Sequence, residues 1–450
     1  MARASTATDG EAGPLAGRVS NRWAVLLLFL GLNVLLTLDK TIFLILLEPI
    51  KQEFALSDLA LGALSGTAFA LCMGVAGLPL GSLVDRVNRR NLAAGCLAVW
   101  SAMTMACGAA TSFPQLLLSR MLVGIGEAGG APAALSILAD LFERSRRATA
   151  MSIFALGPPL ATLVSMSVGT LIVHAYGWRT ALFAAGAPGM VLAVVLLIFV
   201  REPARGQLGG AAAPAAAPAP GFRETLAMML SRRSFIHLLA GVFISFLVLA
   251  GASTFTNSFL VRSHAVKLNE IGPLLGVLMS AVGVTMSTSV GLATDALARR
   301  GEQWRGWVMA VGSLGTAVFG WTFLSAGSLT VTIAFVALFA AAATCWLGPA
   351  YSLCQSLPPP AMRGKALAIM LLVGNTGGYV IAPPAVGFLS DRLGLSAGPE
   401  GLRLALLGVV TLSLWAAFHF VLMARHLPAD LGRAREEGLG ATEGGLVRGH

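Results

Sequence analysis

Apolar residues run through this chain in long blocks, each ended by a short cluster of charges, glycine or proline. An apolar run of about 18 residues or more is long enough to cross a bilayer as a helix at 1.5 Å per residue. Twelve spans are expected, at 23–47, 59–80, 92–111, 114–138, 148–173, 179–200, 234–260, 271–293, 306–325, 329–354, 365–389 and 402–424. None shows the two-residue alternation over about ten residues that marks a transmembrane barrel strand. The first block, Trp23 to Leu47, is too long for a signal-peptide core and no small-residue cleavage site follows it, so it is expected to remain as a helix. The pattern predicts an all-α polytopic membrane protein.

Composition agrees, with 56% hydrophobic and only 12% charged residues, about half the charge of an average soluble chain. The formal net charge of +10 raises the question of nucleic acid. Its distribution answers it. Lys51, Arg179, Arg262, Lys267, Arg392 and Arg403 fall in loops on one side, and Lys40 and Arg120 fall inside spans. The rest of the 31 Lys and Arg lie on the other side. That is the positive-inside bias of a membrane protein. It predicts cytoplasmic termini, an even number of spans and no nucleic-acid partner. The linker GGAAAPAAAPAP is a low-complexity sequence that no packed core would use. The expected organisation is a cytoplasmic tail (1–22), a six-helix bundle (23–200), a cytoplasmic linker (201–233), a second six-helix bundle (234–424) and a cytoplasmic tail (425–450). The five cysteines all lie in spans without metal-ligand spacing, and the six histidines do not cluster with acids. No phosphate-cradling glycine loop or nucleophile–base constellation is present. No enzyme, cofactor or metal is predicted.

The unusual stretch is Arg120 to Pro132, RMLVGIGEAGGAP, where Arg120 and Glu127 sit inside an apolar span. Seven residues apart, they share one helical face about two turns from each other. Charges at this depth are costly and normally face a cavity and a partner. Gly124, Gly126, Gly129 and Gly130 leave room for neighbouring helices to approach. Asp39 in the first span lies about 12 Å below the outer end and Arg120 about 9 Å, so the two can pair. Glu127 is deeper, with only Arg120 or Lys40 as available cations. Burial disfavours its charged form and a nearby cation favours it, so a partner that changes between states would let it take up and release a proton. A static charge network that merely fixes packing is the alternative. The second half has no charge at mid-membrane depth but offers Thr254, Asn257, Tyr351, Asn375 and Tyr379 as possible cavity lining.

The two halves repeat. Gly81-Ser-Leu-Val-Asp85 with Arg89 and Arg90 returns as Gly291-Leu-Ala-Thr-Asp295 with Arg299 and Arg300, and Gly62 and Gly66 match Gly272 and Gly276 at the same offset. Two parallel six-helix halves around a central site is a transporter architecture. GSLVDRVNRR between spans 2 and 3 resembles the signature loop of the major facilitator superfamily, and Arg120-x-x-x-Gly124-x-Gly126 resembles its fourth-helix motif. LDK, LSD at Leu56 to Asp58, VGIGEA, PAALSILADLF, GWR and REPARG together resemble the Spinster family. Where that family commonly has Asp-Arg, this chain has Asp39-Lys40, which keeps charge but loses the bidentate fork.

The resemblance implies a major facilitator fold and alternating access. It also implies a conformational gate at Gly81, Asp85, Arg86, Arg90 and Asp295, with Asp85 reaching span 11 near Gly364. The expected function is secondary transport of an amphipathic lipid, of lysophospholipid or sphingosine-1-phosphate type. Asp39 and Glu127 are the expected proton-coupling pair, and Lys40, Arg120 and Glu127 the expected charge-pair or substrate groups. The alternative is a proton-driven drug or organic-anion exporter of the same fold. Expected partners are the lipid substrate, protons and the bilayer, with the chain as a monomer in a bacterial inner membrane.

Overall fold

A computed structural model describes residues 21–84, 86–203 and 221–446, and its regular structure is helical. Among these residues, eleven stretches are long and apolar enough to cross a membrane. The longest, Ser145–Phe199, has 55 residues and so would extend about 80 Å as one helix, far beyond a single crossing. It turns at Gly177, where φ is +83°, a conformation open to glycine. This stretch therefore supplies two spans, and the total is twelve.

The spans are named α1 (Arg22–Ile45), α2 (Asp58–Val84), α3 (Arg89–Ala109), α4 (Phe113–Leu141), α5 and α6 (145–176 and 178–199), α7 (Arg233–His264), α8 (Leu268–Ala298), α9 (Trp304–Ser325), α10 (Leu329–Ser356), α11 (Arg363–Ala397) and α12 (Gly401–Leu446). Two departures from the expected bounds have local causes. The first span stops at Ile45, and a short helix, Leu47–Phe54, continues at an angle. It carries Glu48 and Pro49 in its first turn, where proline is tolerated. At the other end, helix α12 runs to Leu446 instead of ending near 424, continuing through Pro428. The N-terminal tail through residue 20 and the Pro/Ala linker at 204–220 lie outside the described residues.

In the first half α4 packs on α2 and α3, and α3 packs on α6; in the second, α7 packs on α12 and α11, and α9 on α12. The halves meet through α2 against α11 and α5 against α8. The repeated glycines explain why these four helices can touch. A Cβ at Gly62 would strike the Pro383 backbone, and one at Gly272 would strike the Met166 carbonyl. Widened π-helical turns at Ala63–Thr67, Ser165–Gly169 and Thr376–Ile381 sit on the same seams, a placement common at functional sites. All these contacts lie toward the end away from the termini. At the end carrying the termini, Gly81, Gly291 and Gly364 have open space beside them. The bundle is closed at one end and parted at the other.

Pro158 has no N–H to give the Phe154 carbonyl. Asn33 of α1 donates its side-chain amide to that oxygen at 2.8 Å. An orphan acceptor inside the bundle is thus satisfied from a neighbouring helix. Beside it, Gly157 leaves the room Asn33 occupies.

Candidate functional site

Four charges from α1 and α4 meet beside the central cavity. Asp39 accepts from Arg120 at 2.5 Å and from the Thr104 hydroxyl at 2.5 Å. Lys40 stands 2.9 Å from Glu127. Asp39, Arg120 and Glu127 are buried, whereas the Lys40 side chain is 35% exposed. The network is neutral overall, which is how charges persist at this depth.

Its geometry follows from the glycines and aromatics around it. A Cβ at Gly124 would collide with the Phe69 carbonyl and one at Gly126 with the Trp100 backbone, so α4 sits close against α2 and α3. The Arg120 guanidinium lies 4.2 Å from the Phe43 ring centre and 4.7 Å from that of Phe69, and the Lys40 ammonium lies 5.3 Å from Phe69. One aromatic ring therefore faces both cations, an arrangement favourable in a dry site. Among the described residues, the Arg120 Nε and the Glu127 Oε1 have no hydrogen-bond partner. Lys40 is the cation in direct contact with Glu127.

The cavity has a volume of about 290 Å³. Lys40, Arg120, Thr37 and Thr41 line it from the first half, and Ser253, Thr254, Thr256, Asn257 and Tyr379 from the second, with Phe69, Leu249, Leu275, Met279 and Phe339 as apolar wall. Thr254 and Thr256 hydrogen-bond their own helix at Ala250 and Ala252, so they present mainly methyl groups. The Asn257 amide makes no such bond among the described residues. Asn375 and Tyr351 are not among the residues that wall this cavity. Asn375 turns back to the Leu371 carbonyl at 2.8 Å, and Tyr351 is 39% exposed near the end of α10. Helical spacing alone did not fix which side of those helices faced inward.

Of the expected gate residues, only those other than Asp85 can be placed. Asp85 lies outside the described residues. Open space surrounds Gly81, Arg86 is exposed, and Arg90 holds the Val200 carbonyl and Asn91. Asp295 is exposed in a recess of the second half. The anchored arginine is Arg89, which is buried and bonds Asp140 at 2.5 Å, Glu202 at 2.7 Å and the Pro203 carbonyl at 2.9 Å. It ties the start of α3 to the ends of α4 and α6.

The closed end has a charge cluster that sequence reading missed. Arg262 of α7 donates two hydrogen bonds to Asp58 at 2.7 Å, and it also bonds Glu48 at 2.6 and 2.9 Å. Asp58 also accepts from Lys51 at 2.5 Å and from Ser390 at 2.6 Å, while the Asp391 carboxylate caps the N–H groups of Asp58 and Leu59, each at 2.9 Å. This latch joins both halves. Its one legible signal was that Lys51 and Arg262 are cations on the side poor in them. Nearby, Arg179 and Trp178 donate to Glu53 at 2.6 and 2.7 Å. Chiefly through the Arg179 hydrogen bond, they hold its carboxyl below the usual range.

Comparison with known proteins agrees with this architecture. Residues 28–383 match the Major Facilitator Superfamily. An MFS-type efflux pump of Mycolicibacterium smegmatis is 34% identical over 86% of this chain and 89% of its own. The mouse sphingosine-1-phosphate transporter SPNS2 is 29% identical over 80% of this chain and 68% of its own. A crystal structure of a bacterial homolog of the human lysosomal transporter Spinster, inward-facing and unoccupied, superposes with a TM-score of 0.82 at 26% identity, covering 93% of this chain and 99% of that one. The chain belongs to the major facilitator superfamily, as a Spinster-family transporter. Family and fold are those of transporters and not of enzymes.

Proposed function

We propose that this protein is a secondary active transporter of an amphipathic single-chain lipid of the lysophospholipid or sphingosine-1-phosphate type, coupled to protons through Asp39 and Glu127. The observation that carries the reading is the Lys40–Glu127 pair at the cavity wall. Lys40 is exposed to the cavity while Glu127 behind it is wholly buried. An anionic head group entering beside apolar wall residues competes for the Lys40 ammonium. Glu127, with no hydrogen-bond donor of its own, is then left as an unpaired buried charge, a costly condition that a proton relieves. Substrate and proton occupancy are linked in this way. Asp39, fixed by Arg120 and Thr104, keeps the cation of α4 in place and is the second proton group.

The basic loops support a reading with the termini on the cytoplasmic side of a bacterial inner membrane, in which the parted end faces inward and the Arg262–Asp58 latch closes the outer side. The monomer is the working unit. A second reading, an exporter of drugs or organic anions, draws on the likeness to the M. smegmatis efflux pump.

The test is binding of fluorescent lysophospholipid to purified protein. Wild type binds it, and Lys40→Met weakens binding about tenfold to a hundredfold, the loss of one charge-assisted contact. Tyr351→Phe and Asn375→Ala leave it unchanged. Equal binding by Lys40→Met, or displacement by soluble organic anions and not by unlabelled lysolipid, contradicts the reading and favours the exporter.

A further inference from the structure

Two recesses lie outside the central cavity, between α8, α9 and α10. One, of about 400 Å³, is apolar. Along α9 it is lined by Trp304, Trp307, Val311 and Phe319. From Trp304 to Phe319 it follows fifteen residues of helix, about 22 Å at 1.5 Å per residue. It therefore runs from the membrane surface at the end carrying the termini toward the middle of the bilayer. The other recess, of about 280 Å³, shares Val290 and Cys345 with the first and is lined by Asp295, Arg305 and the hydroxyls of Ser287, Thr294, Thr344 and Ser352. It sits where α8 ends, α9 begins and α10 ends. That is head-group depth, and Trp304 and Trp307 beside it are residues of the interfacial belt.

The charges in the polar recess are only partly satisfied. Arg305 Nε donates to Glu302 at 2.6 Å and Nη1 bonds Ser352, which leaves Nη2 for a ligand. Asp295 makes no hydrogen bond or ion pair among the described residues. Arg305 is ion-paired with Glu302 but keeps Nη2 free, and Asp295 stays unpaired among the described residues, so the recess offers a donor and an acceptor to a head group bearing both signs. Helix α10 is also interrupted here, between Ala342 and Leu347. Irregular backbone at membrane depth is tolerated where it lines a cavity.

We propose that the two recesses form one site for a zwitterionic glycerophospholipid of the surrounding leaflet, of phosphatidylethanolamine type. One acyl chain lies in the slot along α9, the phosphate on Arg305 and the ammonium on Asp295. The ligand is a bilayer lipid and not the cargo, so the site stands whether or not the central cavity carries lipid.

The experiment is native mass spectrometry of the full chain released from nanodiscs holding equal amounts of phosphatidylethanolamine and phosphatidylglycerol with matched chains. Wild type retains one phosphatidylethanolamine at about tenfold preference. Arg305→Met removes the adduct, and so does Val311→Trp, which fills the slot at a position 65% exposed and thus spares the core. Asp295→Asn removes the preference, so the two lipids are retained alike. Val311→Ala, the folding control, keeps the adduct. Equal retention of both lipids by wild type, or an adduct that survives Arg305→Met and Val311→Trp, overturns the proposal. Loss of the adduct in Lys40→Met places the lipid in the central cavity and overturns it too.

Discussion

Replacing Arg262 with Met should open the closed end. Arg262 supplies four hydrogen bonds across the seam, two to Asp58 and two to Glu48. Asp58 and Glu48 have side-chain exposures of 4% and 12%, and Arg262 one of 20%. Removing one partner of a buried pair typically costs about 3–5 kcal/mol. The partial exposure of Arg262, and the Lys51 and Ser390 contacts that Asp58 retains, bring the expected cost down to about 2–3 kcal/mol. If the latch forms only when this end is shut, that cost falls on one conformation. The equilibrium then moves by roughly 30- to 150-fold, at a factor of ten per 1.4 kcal/mol. Spin labels at Gln52 and Leu395, exposed positions in opposite halves at this end, report the change as a longer distance population by double electron–electron resonance. An unchanged distance distribution, with unfolding stability lowered instead, would refute the reasoning, since the latch would then stabilise every state equally.

Three other outcomes are expected. Gly62→Ala drives a Cβ into the Pro383 backbone, which cannot yield as a side chain can, so the same spin-label pair should show the closed population lost without loss of folding. Asn33→Leu leaves the Phe154 carbonyl bare beside Pro158, and thermal unfolding in detergent should show destabilisation of about 1–3 kcal/mol. Glu53 has its folded carboxyl held below the ordinary value of 4.5. Its contribution is therefore full above that pH and lost as pH falls through the lower folded value, so acid should loosen the Leu47–Phe54 helix from α6 in wild type but not in Glu53→Gln, as read by hydrogen exchange.

The spans were legible because apolar length is a one-dimensional property, and the break expected between 173 and 179 falls at the Gly177 turn. The fold places Asp39 against Arg120 and Lys40 against Glu127 because charges inside spans are rare enough that few pairings exist. Lys51 and Arg262 read in sequence only as loop charges and Asp58 only as part of the LSD motif, while Glu48 and Asp391 carry no signal. Loop charges are common, and nothing in the order of residues says that 58 meets 262 and 391. Tyr351 and Asn375 do not wall the 290 Å³ cavity, and the sequence pattern leaves rotation of α10 and α11 about their axes undetermined. The gate loop at Gly81 to Arg90 was recognised as a motif. Its partners depend on which end of the bundle is shut, and that is a property of the conformation.

The most direct test of the central claim is uptake of labelled lysophospholipid into proteoliposomes under an imposed pH gradient. Wild type, Asp39→Asn and Glu127→Gln would be compared. The account predicts gradient-dependent uptake that both substitutions abolish while both variants still bind the lipid. Uptake that ignores the gradient and survives both substitutions would contradict it.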